Sequence, residues 1–525
     1  MAIKHWKPSK KLTRQEKYLL KRCLKKRKLF AFLRQHRHEI FDEEFRQELE
    51  AMYRDTGAGK APLCPELMAM ALILQGYHGV SDAEAVELTV VDLRWQMVLD
   101  RLGETEPAFS QGALFDFRER LIEHEMDRRL LERTAAIARS SKGFDYRKLP
   151  KTLRIAIDSS PLEGAGRVED TINLIGHAAR KVVRCVAELL GWEFERVCRE
   201  AGIELLMAKS IKRALDRDWS DPEQKAEAVD VLARQVLSLE RWIEQHLVEQ
   251  AGHPPLDKLL ATLREVLEQD LDPDPNGGGV RIARGVAKDR RISVEDGEMR
   301  HGRKSKSKRI DGYKRHGSTD LDSAAIVACA LTPANAADNE ALPDIKADVD
   351  RQGIRVGEMH IDRGYMCDMV REFEAEGTTV VCKPWKATNG DLFTKDDFRL
   401  DLRSKTITCP GGHTEPIEYG KSVEFEPSVC AACSLRPQCT TAAKSSGRTV
   451  SIAKDERFQK RMRKMSKTKA GRQRFRERVP VEHRLAHIGQ RQGPRARYVG
   501  VRKNLFDLRR AAAIQNLETT QRKAA

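Results

Sequence analysis

A chain of 525 residues is too long for one hydrophobic core, so two to four domains are expected. Hydrophobic residues make up 40% and charged residues 33% of the chain. The sequence contains no apolar run of about 18 residues, the length that a membrane-spanning helix needs. The basic N-terminus also lacks the apolar region and cleavage site of a secretory signal. These features predict a cytoplasmic protein.

The net charge of +16 is concentrated in two regions. Residues 1–37 contain 14 Lys and Arg against one Glu, and residues 444–510 contain 22 Lys and Arg against five acids. These regions carry +13 and +17, so the remainder of the chain carries −14. Two basic regions on an acidic body are typical of a protein that binds a polyanion. The alternative is a pair of solvated tails.

The first part of the chain is predicted to be helical. We expect a basic arm over 1–37 and an all-helical domain over 38–145. Ser81 and Glu84 are spaced as in a capping box, and Ser110 is the predicted N-cap of a later helix. Between these caps, apolar residues recur at helical spacing.

The pattern changes at the segment TLRIAID, which is typical of a short strand that ends at Asp158. The turn SSPLEGAG follows this strand. Residues 167–280 then return to amphipathic helical patterns, and the Pro/Gly-rich segment 271–279 is predicted to be a linker. A large helical insertion is therefore expected after the first strand.

Strand patterns resume after residue 290, and RVGEMHID is typical of a strand that ends at Asp362. The carboxyl ends of strands are where open α/β sheets place their chemistry. The alternative is that Asp362 only caps the next helix. The predicted fold class is α/β, with a mixed sheet, a large helical insertion and a preceding all-helical domain.

Three acids form a candidate magnesium site. Asp158 and Asp362 end their predicted strands, and Glu482 opens a helical, strongly basic segment. Mg²⁺ prefers oxygen ligands, so carboxylates from separate elements must converge on it. Phosphodiester cleavage and transfer often use two such ions, about 3.5–4 Å apart.

Four residues near these acids have simpler interpretations. Asp296 and Glu298 could be further ligands, but acids in surface turns are the more common case. His360 and His483 could orient water or DNA, and packing explains them as well.

Four cysteines cluster late in the chain, in CPGGH and CAACSLRPQC: Cys409, Cys430, Cys433 and Cys439. Four thiolates satisfy a tetrahedral structural zinc ion with no open position. His413 could replace one of them. Free thiols are the alternative, but the compact spacing in a cytoplasmic chain favours zinc.

The sequence resembles the DDE transposases of bacterial insertion sequences, whose catalytic domain is RNase H-like. IDSS carries Asp158 at the position of the family's first acid, and IDRGY carries Asp362 at the second. The segments YRDTGAGKAPLCPELMAMALIL and ALTPANAADNEALPDI also resemble the family. The likeness covers nearly the whole chain.

The family's last-acid signature is Tyr, Arg, Glu and Lys, separated by two, three and six residues. Phe475, Arg478 and Glu482 keep this spacing, whereas Gly489 stands at the lysine position. Because the signature is incomplete, the neighbouring Glu477 is the alternative third acid.

The resemblance implies an RNase H-like domain over 150–510 with a zinc-knuckle-like insertion over 405–445, followed by a tail over 511–525. It implies that Asp158, Asp362 and Glu482 hold two Mg²⁺ ions, with Mn²⁺ as a possible substitute.

The implied activity is binding the ends of an insertion sequence, cleaving the DNA and joining the 3′-OH ends to target DNA. The implied partners are double-stranded DNA and a second copy of the chain on paired ends, in the bacterial nucleoid and with no membrane. The alternative is an inactive DNA-binding relic that acts as a regulator. The intact aspartates argue against that alternative.

Overall fold

The computed structural model describes most of the chain, namely residues 6–53, 62–140, 149–275, 277–304, 307–385 and 387–524. The first five residues of the predicted arm lie outside these ranges. No helix among the described residues combines the length and apolar character needed to cross a membrane.

The N-terminal region is helical, as predicted. Its helices are α1 (Arg14–Lys26), α2 (Lys28–Ile40), α3 (Glu43–Glu50), α4 (Pro65–His78), α5 (Asp82–Val91), α6 (Leu93–Leu99), α7 (Gln111–Glu123) and α8 (Met126–Arg139). Side-chain oxygens of Ser81 and Ser110 accept hydrogen bonds from the third residues of α5 and α7, so both serines are N-caps; of the capping box predicted at Ser81 and Glu84, the structure shows this serine half. The central α4 is apolar almost all round, and it is buried by its neighbours.

The region expected to be a basic arm is folded from Arg14 onward. A capping box between Thr13 and Glu16 begins α1, whose Leu20 and Cys23 lie in the core of the helical region. The Lys and Arg residues of α1 occupy its opposite, exposed face. A count of charges predicted an arm because it overlooks the few apolar residues of α1. These residues form a single narrow stripe along the helix, and that stripe packs into the core. Deleting residues 1–37 would therefore remove part of a core.

The first strand, β1 (Thr152–Glu163), is followed by a second helical region. Its helices are α9 (Thr171–Leu190), α10 (Phe194–Glu200), α11 (Ile211–Leu215), α12 (Pro222–His246), α13 (Val248–Ala251) and α14 (Leu256–Asp270). The expected linker, 271–279, instead begins with β2 (Leu271–Pro273), which pairs with β3 (Val280–Ile282) just after it. Leu271, Val280 and Ile282 pack on the helices, which explains why this segment is ordered.

The main sheet is mixed and is assembled from distant parts of the chain. Its later elements are β4 (Arg300–Arg303), β5 (Arg309–Asp320), β6 (Ile326–Pro333), α15 (Leu342–Arg351), β7 (Arg355–Ile361), α16 (Asp368–Ala375) and β8 (Thr379–Cys382). The strand order is β6-β5-β1-β7-β8, and β4 pairs with the start of β5. β5 runs antiparallel to β1 and β6, whereas β1, β7 and β8 are parallel.

The rest of the chain carries small sheets and the C-terminal helices. These elements are β9 (Arg399–Asp401), β10 (Thr406–Thr408), β11 (Thr414–Pro416), β12 (Ser422–Glu424), α17 (Pro427–Ala432), α18 (Arg436–Cys439), β13 (Thr449–Ser451), α19 (Glu456–Lys467), α20 (Lys469–Arg476), α21 (Val479–Gln492) and α22 (Val501–Ala524). The small strands enclose a core of their own around Ile407, Phe425 and Val450.

Helix α22 joins the N-terminal helices to the main sheet. Phe506, Ile514 and Leu517 belong to the core of the N-terminal helices. Leu505 and Leu508, on another side of the helix, belong to a cluster with residues of β1, β5 and β6. One helix therefore supplies apolar side chains to two cores.

Candidate active site

Asp158 and Asp362 lie on adjacent parallel strands. The register pairs Ala156 of β1 with His360 of β7, and each aspartate follows two residues later. Asp362 follows β7 directly, and its carboxylate accepts a hydrogen bond of 2.9 Å from the Gly364 N–H. Asp362 thus caps a short turn as well as lying at the sheet edge.

The expectation that β1 ends at Asp158 is wrong. The strand continues to Glu163, because β5 pairs with it along this whole length and aligns Gly317 with Asp158. Asp158 is therefore in mid-strand with respect to β5. With respect to β7, it lies just past the last paired residue.

Glu482 reaches the same sheet edge from α21. Pro480 lies in the first turn of this helix, so Glu482 is inside the helix and Glu477 precedes it, as predicted from the sequence. Leu485 and Ile488 anchor α21 in the apolar cluster on the sheet. A Cβ at Gly317 would lie 2.9 Å from Leu485 Cδ2, so this close approach of helix to strand favours glycine.

All three predicted acids line one open cleft with a cavity of about 550 Å³. Arg478 also lines it, with Nη1 at 3.9 Å from Asp158 Oδ1 and 3.7 Å from Asp362 Oδ2. Its Nη2 lies 3.5 Å from Glu482 Oε1. The structure therefore brings the three carboxylates together around a single guanidinium.

The charges in this cleft influence one another. Burial raises the pKa of the Asp158 carboxyl, and the neighbouring carboxylates of Asp362 and Glu482 raise it further. The guanidinium of Arg478 and the Ser159 N–H oppose that rise. A carboxyl group whose pKa is raised by burial and by neighbouring carboxylates is typical of sites that gather acids for a cation.

Glu477 lies in a different cluster. It pairs with Arg154, and its carboxylate, one Glu358 oxygen and a His360 ring nitrogen lie within 4.8 Å of one another. Burial opposes the ionisation of Glu358, but hydrogen bonds from Arg474 and His360 outweigh it and lower the pKa to about 2. Two arginines already compensate these acids, so the cluster is better described as an ion-pair network than as a cation site.

The sequence did not single out Asp338, which also lines the cleft. Asp338 follows β6, pairs with Lys314 Nζ at 2.8 Å and lies 3.4 Å from Ser159 Oγ. A signal was present, since Asp338 belongs to the segment ALTPANAADNEALPDI that resembles the family. The segment alone gave no reason to choose this acid over its neighbours.

Asp296 is fully buried and accepts a 2.6 Å hydrogen bond from the Tyr313 hydroxyl, so it is not a surface acid.

At the lysine position of the signature, a Cβ on Gly489 would lie 3.3 Å from Arg315 Nη2. Arg315 lies on β5 and is buried; it donates to the Pro161 carbonyl of β1 and to Gln492 Oε1 at the end of α21, and so links both elements.

The four clustered cysteines surround one small cavity of about 30 Å³, together with His413. A Cβ at Gly411 would lie 3.3 Å from Cys433 Sγ and 3.6 Å from Cys409 Sγ, so glycine allows this turn to approach the thiols. Burial raises the pKa of the Cys439 thiol, and the other three cysteines add to that rise. The distances between these sulfurs are longer than those in the Glu477 cluster. Among the described residues, that cluster is the group whose three ligand atoms all lie within 4.8 Å of one another.

Two segments of the chain match family models of known proteins. Residues 21–120 match a family model described as a transposase domain (DUF772). Residues 408–520, which include the cysteines and Glu482 but neither aspartate, match a family model described as a transposase DDE domain. Searches of curated proteins and of solved structures gave no match. The resemblance is thus confirmed over these two segments, which match models of transposase domains typical of bacterial insertion-sequence transposases.

Proposed function

We propose that the protein is an active transposase that binds the ends of its insertion sequence, cleaves the DNA and joins the 3′-OH ends to target DNA. One observation carries this proposal: Asp158, Asp362 and Glu482 converge on one open cleft although they are separated by hundreds of residues. The mixed sheet, with the aspartates on adjacent central strands, supports the RNase H-like catalytic domain that the resemblance implies.

The cleft suits divalent ions. Its three carboxylates offer hard oxygen ligands, and the like charges of Asp362 and Glu482 raise the pKa of Asp158, a repulsion that a cation would relieve. Asp158, Asp362 and Glu482 would hold the ions. When bound, two such ions activate the attacking oxygen and stabilise the leaving oxygen. Arg303 and Lys304 line the same cleft, where they would face the phosphates of the DNA.

The test is strand transfer with oligonucleotides that carry the element's ends, in Mg²⁺ and in EDTA. We expect the wild-type protein to give nicked and joined products in Mg²⁺ but not in EDTA. Asp362→Ala should give no product in either condition. Specific binding of the ends without any metal-dependent product would support the inactive regulator instead.

A basic surface on α19 and α20, the helices that precede Arg478 in the chain, is our candidate for DNA contact. Lys464 and Lys467, near the end of α19, and Lys469, at the start of α20, are exposed. The two helices lead directly to Arg478 and Glu482. Duplex DNA entering the cleft would therefore pass these lysines.

Replacing Lys464, Lys467 and Lys469 by Gln should weaken DNA binding and flatten its salt dependence. Each lost phosphate contact lowers the log–log slope by about 0.9. The control replaces Lys209, Lys225 and Lys258, exposed lysines of the helical insertion, and should leave the slope unchanged. Titrations of a labelled duplex at several salt concentrations measure both; equal slopes in the two triple variants would remove this surface from the DNA path.

We also propose that the four cysteines hold a structural zinc ion. Four thiols around one small cavity supply the number and kind of ligands that a closed tetrahedral site needs. The purified protein should contain about one zinc per chain, with Zn–S distances near 2.3 Å.

Cys433→Ser should lose that zinc and unfold the small sheets, whereas Cys185→Ser, at a buried cysteine of α9, should keep it. Elemental analysis and X-ray absorption measure the metal. A metal-free protein whose four clustered thiols react freely with a thiol reagent would contradict the site.

A further inference from the structure

Arg478 has an unusual position among the acids of the cleft. Within the described residues, the ion pairs of Asp158, Asp362 and Glu482 all end on its guanidinium. The side chain is only 19% exposed, and its buried Nη1 has no hydrogen-bond partner in the described part of the chain. A buried donor without a partner is costly, so its position needs an explanation.

The contacts of Arg478 are long. Its nitrogens lie 3.5–3.9 Å from the three carboxylates, beyond the usual 2.7–3.2 Å of an N–H···O hydrogen bond. By contrast, Arg474 Nη2 lies 2.6 Å from Glu358 in the neighbouring network. Arg478 thus acts on the acids through its charge, and it leaves their lone pairs free for other ligands.

The backbone of Arg478 is held in place on both sides. On one side, Glu477 pairs with Arg154 of β1. On the other side, Arg478 is the N-cap residue of α21, whose first turn contains Pro480. The backbone is therefore fixed, whereas the long side chain borders open space both in the cleft and in a second cavity of about 270 Å³, which leaves room for another rotamer. A fixed backbone with a movable cationic side chain fits a group that yields its place to another cation.

We propose that Arg478 is the internal counter-ion of the carboxylate site, compensating one of three negative charges before a divalent ion binds and moving away when it does. This inference rests on the proposed function, because it assumes that the three acids bind divalent ions. It assigns Arg478 a positioning role: it keeps three repelling carboxylates together in the metal-free protein.

The test compares Arg478→Gln with Arg476→Gln, which removes the same charge from an exposed position at the end of α20. Mn²⁺ binding is measured by calorimetry and by electron paramagnetic resonance, and the metal-free melting temperature by calorimetric scanning. We expect Arg478→Gln to bind Mn²⁺ about tenfold more tightly, because no competing cation remains. We also expect it to melt at a lower temperature without metal, whereas Arg476→Gln should match the wild type in both measurements.

Arg478→Lys is the control for a folding defect, because it keeps the positive charge. It should show the wild-type melting temperature without metal and the weaker, wild-type binding of Mn²⁺. Unchanged or weaker Mn²⁺ binding by Arg478→Gln would overturn the counter-ion proposal. Asp158→Asn separates the two hypotheses: if it binds Mn²⁺ as the wild type does, the ion lies elsewhere and the proposed function fails at this site. If Asp158→Asn loses Mn²⁺ and Arg478→Gln changes nothing, only the role of Arg478 is refuted.

Discussion

Glu482→Gln should abolish DNA cleavage and strand transfer, whereas Glu477→Gln should stay active. Glu482 lines the cleft with Asp158 and Asp362, while Glu477 pairs with Arg154 in the neighbouring network. Glutamine keeps the shape of glutamate but carries no charge to bind a cation. A loss of about 4 kcal/mol of charge stabilisation corresponds to about a thousandfold lower rate.

DNA binding separates a chemical defect from a folding defect in this experiment. Glu482→Gln should bind element ends as tightly as the wild type, or more tightly, because a negative charge near the phosphates has gone. Gel-based cleavage assays and binding titrations on the same duplex give both readouts. If only Glu477→Gln is inactive, the third acid is Glu477; if both variants stay active, no acid of this segment completes the site.

Arg509→Met should lower the free energy of unfolding by about 3–5 kcal/mol, the range for breaking a buried ion pair from one side. Arg509 is 1% exposed and lies between two equally buried carboxylates, with Nη1 at 3.2 Å from Asp127 and Nη2 at 3.1 Å from Asp348. Without Arg509, each carboxylate keeps one arginine partner among the described residues, Arg502 for Asp127 and Arg128 for Asp348.

The matched control is Arg264→Met. Arg264 is 51% exposed and pairs with Glu240 at 2.8 Å, so its loss should cost less than about 1 kcal/mol. Urea denaturation followed by circular dichroism and by tryptophan fluorescence measures both variants. Equal stability of Arg509→Met and Arg264→Met would show that the buried ion pairs of Arg509 add no more stability than an exposed pair.

The sequence identified the candidate acids because each lies in a short, local pattern. Asp362 follows an apolar strand and precedes a glycine turn, and Pro480 fixed the start of α21 and so separated Glu482 from Glu477. These patterns depend on neighbours within a few residues. The structure agrees with them closely at those positions.

Other features depend on distant partners, and the sequence could not reveal them. The length of β1 is set by its pairing with β5, about 150 residues later, so the strand continues past Asp158. Asp296 is buried because the Tyr313 hydroxyl donates to it. The packing of α1 depends on the other N-terminal helices, and a count of local charges carries no information about them.

The position of α22 has a consequence for how the protein is made. Because its Phe506, Ile514 and Leu517 complete the core of the N-terminal helices, those helices leave the ribosome long before their core can close. They must wait for contacts from more than 350 residues away in the chain, and such non-local contacts form slowly. A product that stops before Val501 would expose that unfinished core to proteases. Truncated copies should therefore be cleared, and only chains translated past α22 should reach DNA.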